Sequence, residues 1–160
     1  MARPSTFTQV AGSGAVDQLT AAVGLTRAAT QGLYNAVTKT NYTPHFSPAG
    51  TAWAYGELAD YASLTYTDWQ AWNGGNPPSM VGKDAVVHLI TDDIYLSIRF
   101  ASWPNGHQNP QGGFSYVRST APISPPSFQS ITLTPSNTVI LSWSGSVGLA
   151  YQFQYSTNLA

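Results

Sequence analysis

The chain contains no cysteine, which removes disulfides, thiol catalysis and Cys-ligated zinc together while leaving the compartment open. Charge is almost as scarce: 6 Lys and Arg and 7 Asp and Glu make 8% of the 160 residues, against about a quarter in ordinary globular chains. A formal net charge of -1 leaves no basic surface to neutralise phosphates, so nucleic-acid binding has no electrostatic footing. No apolar run approaches the roughly 18 to 20 residues of a membrane-spanning helix, and no membrane span is expected. Met1-Ala2-Arg3-Pro4 leads into Ser, Thr and Gln rather than an apolar core, so the sequence shows no signal peptide. Scarce charge does not imply disorder here. Apolar residues make up 42% of the chain, and disorder needs low hydrophobicity with high net charge.

The densest strand signal lies in Lys83 to Thr120. Ile94, Leu96, Ile98 and Phe100 fall on every second position, with Tyr95, Ser97, Arg99 and Ala101 interleaved, the period of a half-buried strand. Ala85 to Ile90 is a second apolar run around His88, and Thr91-Asp92-Asp93 supplies turn chemistry between the two. Phe114 to Thr120 alternates again after a loop of Pro, Asn, Gly, His and Gln. These features predict a three-stranded antiparallel meander.

Around the meander, residues 1–14 read as a mobile lead ending at Gly12-Ser13-Gly14, and residues 15–120 as the domain. Within 15–37 helix and strand patterns compete, and short strands at Leu25-Thr26-Arg27 and Leu33 to Val37 are the preferred reading. Ala62 to Thr67 alternates as a further strand, and Thr67 or Asp68 is placed to cap one helical turn carrying Trp69 and Trp72. A proline-rich linker occupies 121–127. Residues 128–160 show three alternating segments, Ile131 to Leu133, Val139 to Trp143 and Tyr151 to Tyr155. The fold class expected is all-β: an antiparallel β-sandwich, jelly-roll-like or Ig-like, with a short partial fibronectin-like C-terminal segment.

SLTYTDWQAWNGGNPPSMVGKDAVVHLITDDIYLSIRFASW followed by GGFSYVRST resembles a β-rich domain of large, secreted, multidomain bacterial surface proteins that has no established activity. The likeness spans roughly Leu25 to Thr120, with matches at Leu25-Thr26-Arg27, Thr51-Ala52-Trp53-Ala54, the run from His88, Phe100 to Trp103, and Gly112 to Tyr116. It departs at Pro104 to Gln111, where mostly glycine is expected. ITLTPSNTVILSWSGSVGLAYQFQYSTNL is similar to the first strands of a fibronectin type III-like domain. Both resemblances imply an extracellular or cell-surface location, and neither supplies a catalytic residue.

No pattern joins nucleophile, base and orienter. Asp92-Asp93, with Asp84 or Asp60, are the candidate oxygen ligands for calcium, which takes about six to eight oxygens; turn hydrogen bonding explains the pair equally. Trp72 beside Asn73-Gly74-Gly75, and Trp103 with His107 at the polar loop, are candidate sugar contacts, whereas Trp53 and Trp69 read as core. Arg99 would share a sheet face with Arg118, flanking Tyr116, if the loop pairs Trp103 with Phe114. The leading expectation is a non-catalytic adhesive or carbohydrate-binding module that takes a polysaccharide or cell-surface glycan, with no cofactor. Two alternatives stand beside it. One is a structural subunit assembling into filaments or lattices by strand exchange through its C-terminal segment, whose three strands fall short of the seven or so of a fibronectin-like sandwich. The other is a polysaccharide hydrolase or lyase using Asp92, Asp93 and His107.

Overall fold

The computed structural model describes residues 4–28, 32–104, 112–120 and 127–144. It is an all-β architecture of antiparallel sheets with little helix. The chain divides into two units, Met1–Pro122 and Ile123–Ala160.

In the first unit the strands are β1 (Pro4–Gln9), β2 (Asp17–Gln18), β3 (Gly24–Arg27), β4 (Leu33–Asn35), β5 (Thr51–Tyr55), β6 (Asp84–Leu89), β7 (Ile94–Ser102) and β8 (Phe114–Ser119). Five of them make a sheet in the order β1-β8-β7-β6-β5, and β2-β3-β4 make a second. The expected meander is β6-β7-β8, with Ile94 opposite Leu89 across the Ile90 to Asp93 turn. Asp93 takes φ 51°, a left-handed position that Asp tolerates in turns. The preferred strand reading of residues 15–37 also holds, since Leu25 pairs with Asn35 and Arg27 with Leu33.

Alternation decides which side of the large sheet is dry. Leu96, Ile98 and Phe100 of β7, Ala85, Val87 and Leu89 of β6, Trp53 of β5 and Phe114 and Tyr116 of β8 share one core with Leu25 and Leu33 of the small sheet and with Val23 just before β3. The two sheets therefore pack as a sandwich. Against β5 packs α1 (Trp69–Trp72), capped as its sequence suggests: the Asp68 carboxylate accepts from the backbone N–H groups of Gln70 and Ala71 at 2.9 Å each. The helix delivers Trp69 and Trp72 into the core, where Trp72 lies 5.3 Å from Trp53 and Trp69 lies 5.6 Å from Trp103.

Two expectations are corrected. Within the stretch read as a mobile lead, Pro4–Gln9 is an edge strand that pairs along its whole length with β8. Phe7 packs 5.5 Å from Tyr116. The Gln9 amide accepts from Thr26 Oγ1 and the Arg27 N–H and donates to the Arg27 and Gly112 carbonyls, so a single polar side chain ties the strand across the sandwich. The strand expected at Ala62 to Thr67 is instead a 3-10 turn, Leu58–Ser63, with Thr67 alone bridging Trp53.

In the second unit β9 (Ser127–Leu133) and β10 (Val139–Ser144) form an antiparallel hairpin closed at Thr134 to Thr138. Phe128, Ile131, Leu133, Val139 and Ile140 are all exposed. The third expected strand, Tyr151 to Tyr155, lies outside the described residues.

Candidate functional site

The residues picked from sequence as ligand contacts do not assemble into one exposed platform. Tyr116 is 0% exposed, Trp72 7% and Trp103 8%, all within the core. Trp103 is held there by Arg27, whose guanidinium carbon sits 3.9 Å from the ring centroid while Nη1 donates to the Pro104 carbonyl at 3.1 Å and the Gly113 carbonyl at 2.8 Å. Burial lowers the Arg27 pKa to about 10. His107 lies outside the described residues.

A β-bulge explains why the two arginines part company. Ser102 pairs with Ser115, but Phe100 then pairs with Tyr116, so β7 carries one residue more than β8 over that span. Arg99 consequently faces Val117, and Arg118 faces Ile98 on the opposite side of the sheet. The expectation that Arg99 and Arg118 share a face is overturned by that single-residue shift. Arg118 instead meets Asp17 of β2, with Nε to Oδ2 at 2.7 Å and Nη2 to Oδ1 at 2.9 Å. The Tyr116 hydroxyl donates to the same Asp17 Oδ2 at 2.7 Å. Burial chiefly, and then the Asp17 charge, raise the Tyr116 pKa well above the usual phenol range.

Arg99 marks the face that stays open. On the outer side of the large sheet lie Ala54 of β5, Asp84, Val86 and His88 of β6, Tyr95, Ser97 and Arg99 of β7, and Val117 and Ser119 of β8. The segment from Gly56 to Tyr66 folds back over part of this face. Ala54 and Val86 are buried on the outer side, and the 3-10 turn contacts β6 and β7. Gly56 allows the approach: it takes φ 141°, and a Cβ there would lie 2.6 Å from a methyl of Leu64.

Two features result. The first is an aromatic row: Tyr95 lies 4.7 Å from Tyr61 and 5.7 Å from Tyr66, and stacks on His88 at 4.1 Å with only 2° between the ring planes. The Tyr66 hydroxyl donates to the Tyr61 carbonyl, and His88 Nε2 meets Asp93 Oδ1 at 3.0 Å. Partial burial, then neighbouring charge, raise the Tyr66 and Tyr95 pKa values. The second feature, beside the row, is a cleft of about 310 Å³ lined by Glu57, Asp84, Ser97, Arg99 and Val117. Arg99 Nη1 lies 3.1 Å from both Asp84 oxygens, and each side chain of that pair is about half exposed. A smaller cleft of about 280 Å³ opens at Tyr34, Lys39, Asn41 and Phe46.

The acidic pair proposed for calcium is divided between partners. Asp92 Oδ2 accepts from Thr20 Oγ1 at 2.5 Å, and Asp93 is held by His88. Among the described residues no three His, Cys, Asp or Glu side chains converge.

Sequence reasoning missed Glu57 and Tyr61, which carry no periodic signature, and placed Tyr66 on a strand rather than on the fold-back that brings it over β6 and β7; Tyr95 and Arg99 were legible as interleaved positions of β7. No family model matches the chain, and no curated protein or solved structure gives a significant match.

Proposed function

We propose that the protein is a non-catalytic glycan-binding module of an extracellular or cell-surface protein, and that the outer face of its large sheet carries the ligand. The observation behind this reading is the juxtaposition of the Tyr61, Tyr66 and Tyr95 row with the cleft at Glu57, Asp84, Ser97 and Arg99. Aromatic faces cover the C–H side of a sugar ring, while carboxylates accept from hydroxyls and a guanidinium donates to them. A few convergent polar groups beside an apolar platform are the usual make-up of a small-molecule site. Asp84, Tyr95, Ser97 and Arg99 stand on a paired antiparallel sheet, so little ordering of those groups is needed on binding.

The experiment is a screen of soluble and insoluble polysaccharides by co-sedimentation, followed by titration calorimetry on those retained. Saturable binding of at least one glycan is expected, and a panel that yields none overturns the reading.

A second reading rests on a different observation, the exposed apolar residues of the β9–β10 hairpin. Such a surface, on a hairpin whose outer edges pair with no strand among the described residues, suits assembly between copies by strand addition. Light scattering of the full chain against one ending near Pro122 tests it: loss of assembly on shortening supports a structural subunit, and equal monomers count against it.

A further inference from the structure

We infer that the outer-face cleft selects polysaccharides bearing protonated amino groups and discriminates against uronate polymers. The inference rests on the glycan reading above and adds the sign of the ligand's charge.

Among the described residues, the ionisable residues lining the cleft are Glu57, Asp84, Arg99 and Arg118, the last of which turns its side chain to the inner side of the sheet. Arg118 brings no free charge, because both oxygens of Asp17 hold its guanidinium and the two side chains are only 11% and 12% exposed. Two carboxylates then stand against one guanidinium, an excess of one negative charge. Asp84 and Arg99 already satisfy each other at 3.1 Å. Glu57, which enters from the fold-back segment, makes no ion pair or side-chain hydrogen bond among the described residues.

The balance is the same whichever way the pair is broken. A uronate entering the cleft takes Arg99 from Asp84 and leaves two carboxylates beside its own, a like-charge juxtaposition that interfaces avoid. A ligand ammonium meets Glu57, which no cation holds among the described residues, and leaves the Asp84–Arg99 pair intact. The Asp84 and Arg99 side chains are about half exposed. That exposure keeps the gain modest and makes it salt-dependent, since charges are screened over about 10 Å at 0.1 M salt.

The test compares three oligosaccharides of similar length: β-1,4-glucosamine, its N-acetylated counterpart with the same backbone, and an oligogalacturonate. Binding is measured at a pH where the amines are protonated, in low and high salt. The amino sugar is expected to bind tightest and the uronate weakest, with the gap between them shrinking in high salt. Glu57→Gln should weaken amino-sugar binding about three- to fivefold, the scale of one exposed charge pair, and leave the N-acetyl form unchanged. Asp60→Asn is the control, an exposed carboxylate in the same 3-10 turn that does not line the cleft. It should have no effect. If amino and N-acetyl forms bind alike, if the uronate binds best, or if Asp60→Asn matches Glu57→Gln, the charge inference fails while the glycan reading stands. If none of the three binds and the wider polysaccharide screen is also empty, both fall.

Discussion

The two faces of the large sheet are built from the same strands and meet opposite fates. Along β7, Leu96, Ile98 and Phe100 turn inward and are almost wholly buried, while Tyr95, Ser97 and Arg99 between them turn outward. The inner face closes against a second sheet and α1, and its polar groups are fixed by partners from several elements: Arg118 by Asp17, and Gln9 by Thr26 and Arg27. The outer face is only half covered, by the turn from Leu58, and its ion pair is solvated. A change on the first face should therefore register as stability, and a change on the second as binding.

The largest effect should come from Trp53→Ala. Trp53 is fully buried between Trp72 and Phe100, and such truncations cost about 3 to 5 kcal/mol. Denaturant titration reads the loss, and a change below about 1 kcal/mol would erase the distinction between the faces. Next is Asp17→Asn, which strips the carboxylate charge from Arg118 and weakens the bond to Tyr116, a loss of about 3 kcal/mol for a pair this buried.

The pH dependence of Tyr116 sharpens the point. Its folded pKa is raised above the ordinary value of 10.0, so the folded chain keeps a proton that the unfolded chain releases. That contribution is full below pH 10 and declines as pH rises beyond it. Arg27, lowered to about 10 from 12.5, acts in the opposite sense over the same range. Tyr116→Phe should cost about 1 to 2 kcal/mol at pH 8 through the lost hydrogen bond to a carboxylate. The gap to the parent should narrow by pH 11 in a chemical-denaturation series, and a gap that widens instead contradicts the assigned sign. At the border of the two faces, Gly56→Ala should cost about 1 to 3 kcal/mol, because φ 141° and the Leu64 contact both oppose a Cβ.

Strand alternation made the β6-β7-β8 meander readable, and Asp68 before Trp69 announced a capped turn. What stayed hidden follows from long-range choices. Pro4–Gln9 carries mostly Ser, Thr and Gln, and becomes a strand because β8 offers an edge and Arg27 needs the Gln9 amide. Ala62 to Thr67 has a strand's period, but Ala62 and Ser63 close a turn laid across β6 and β7, and only Thr67 reaches a ladder, by its bridge to Trp53. The bulge at Ala101 moved Arg99 away from Arg118, and no local signal fixes a one-residue slip of that kind. The candidate site was legible in Tyr95, Ser97 and Arg99, which alternation places outward, and in Asp84, which the sequence offered as a calcium ligand rather than as the partner of Arg99.

The most direct measurement pairs affinity with stability for Tyr61→Ala combined with Tyr95→Ala, against the best glycan found in the screen. At least a tenfold loss of affinity, about 1.4 kcal/mol, is expected, as for removal of stacking aromatic faces, with a melting temperature within a few degrees of the parent. Unchanged affinity in a folded double variant would contradict the placement of the glycan on this face.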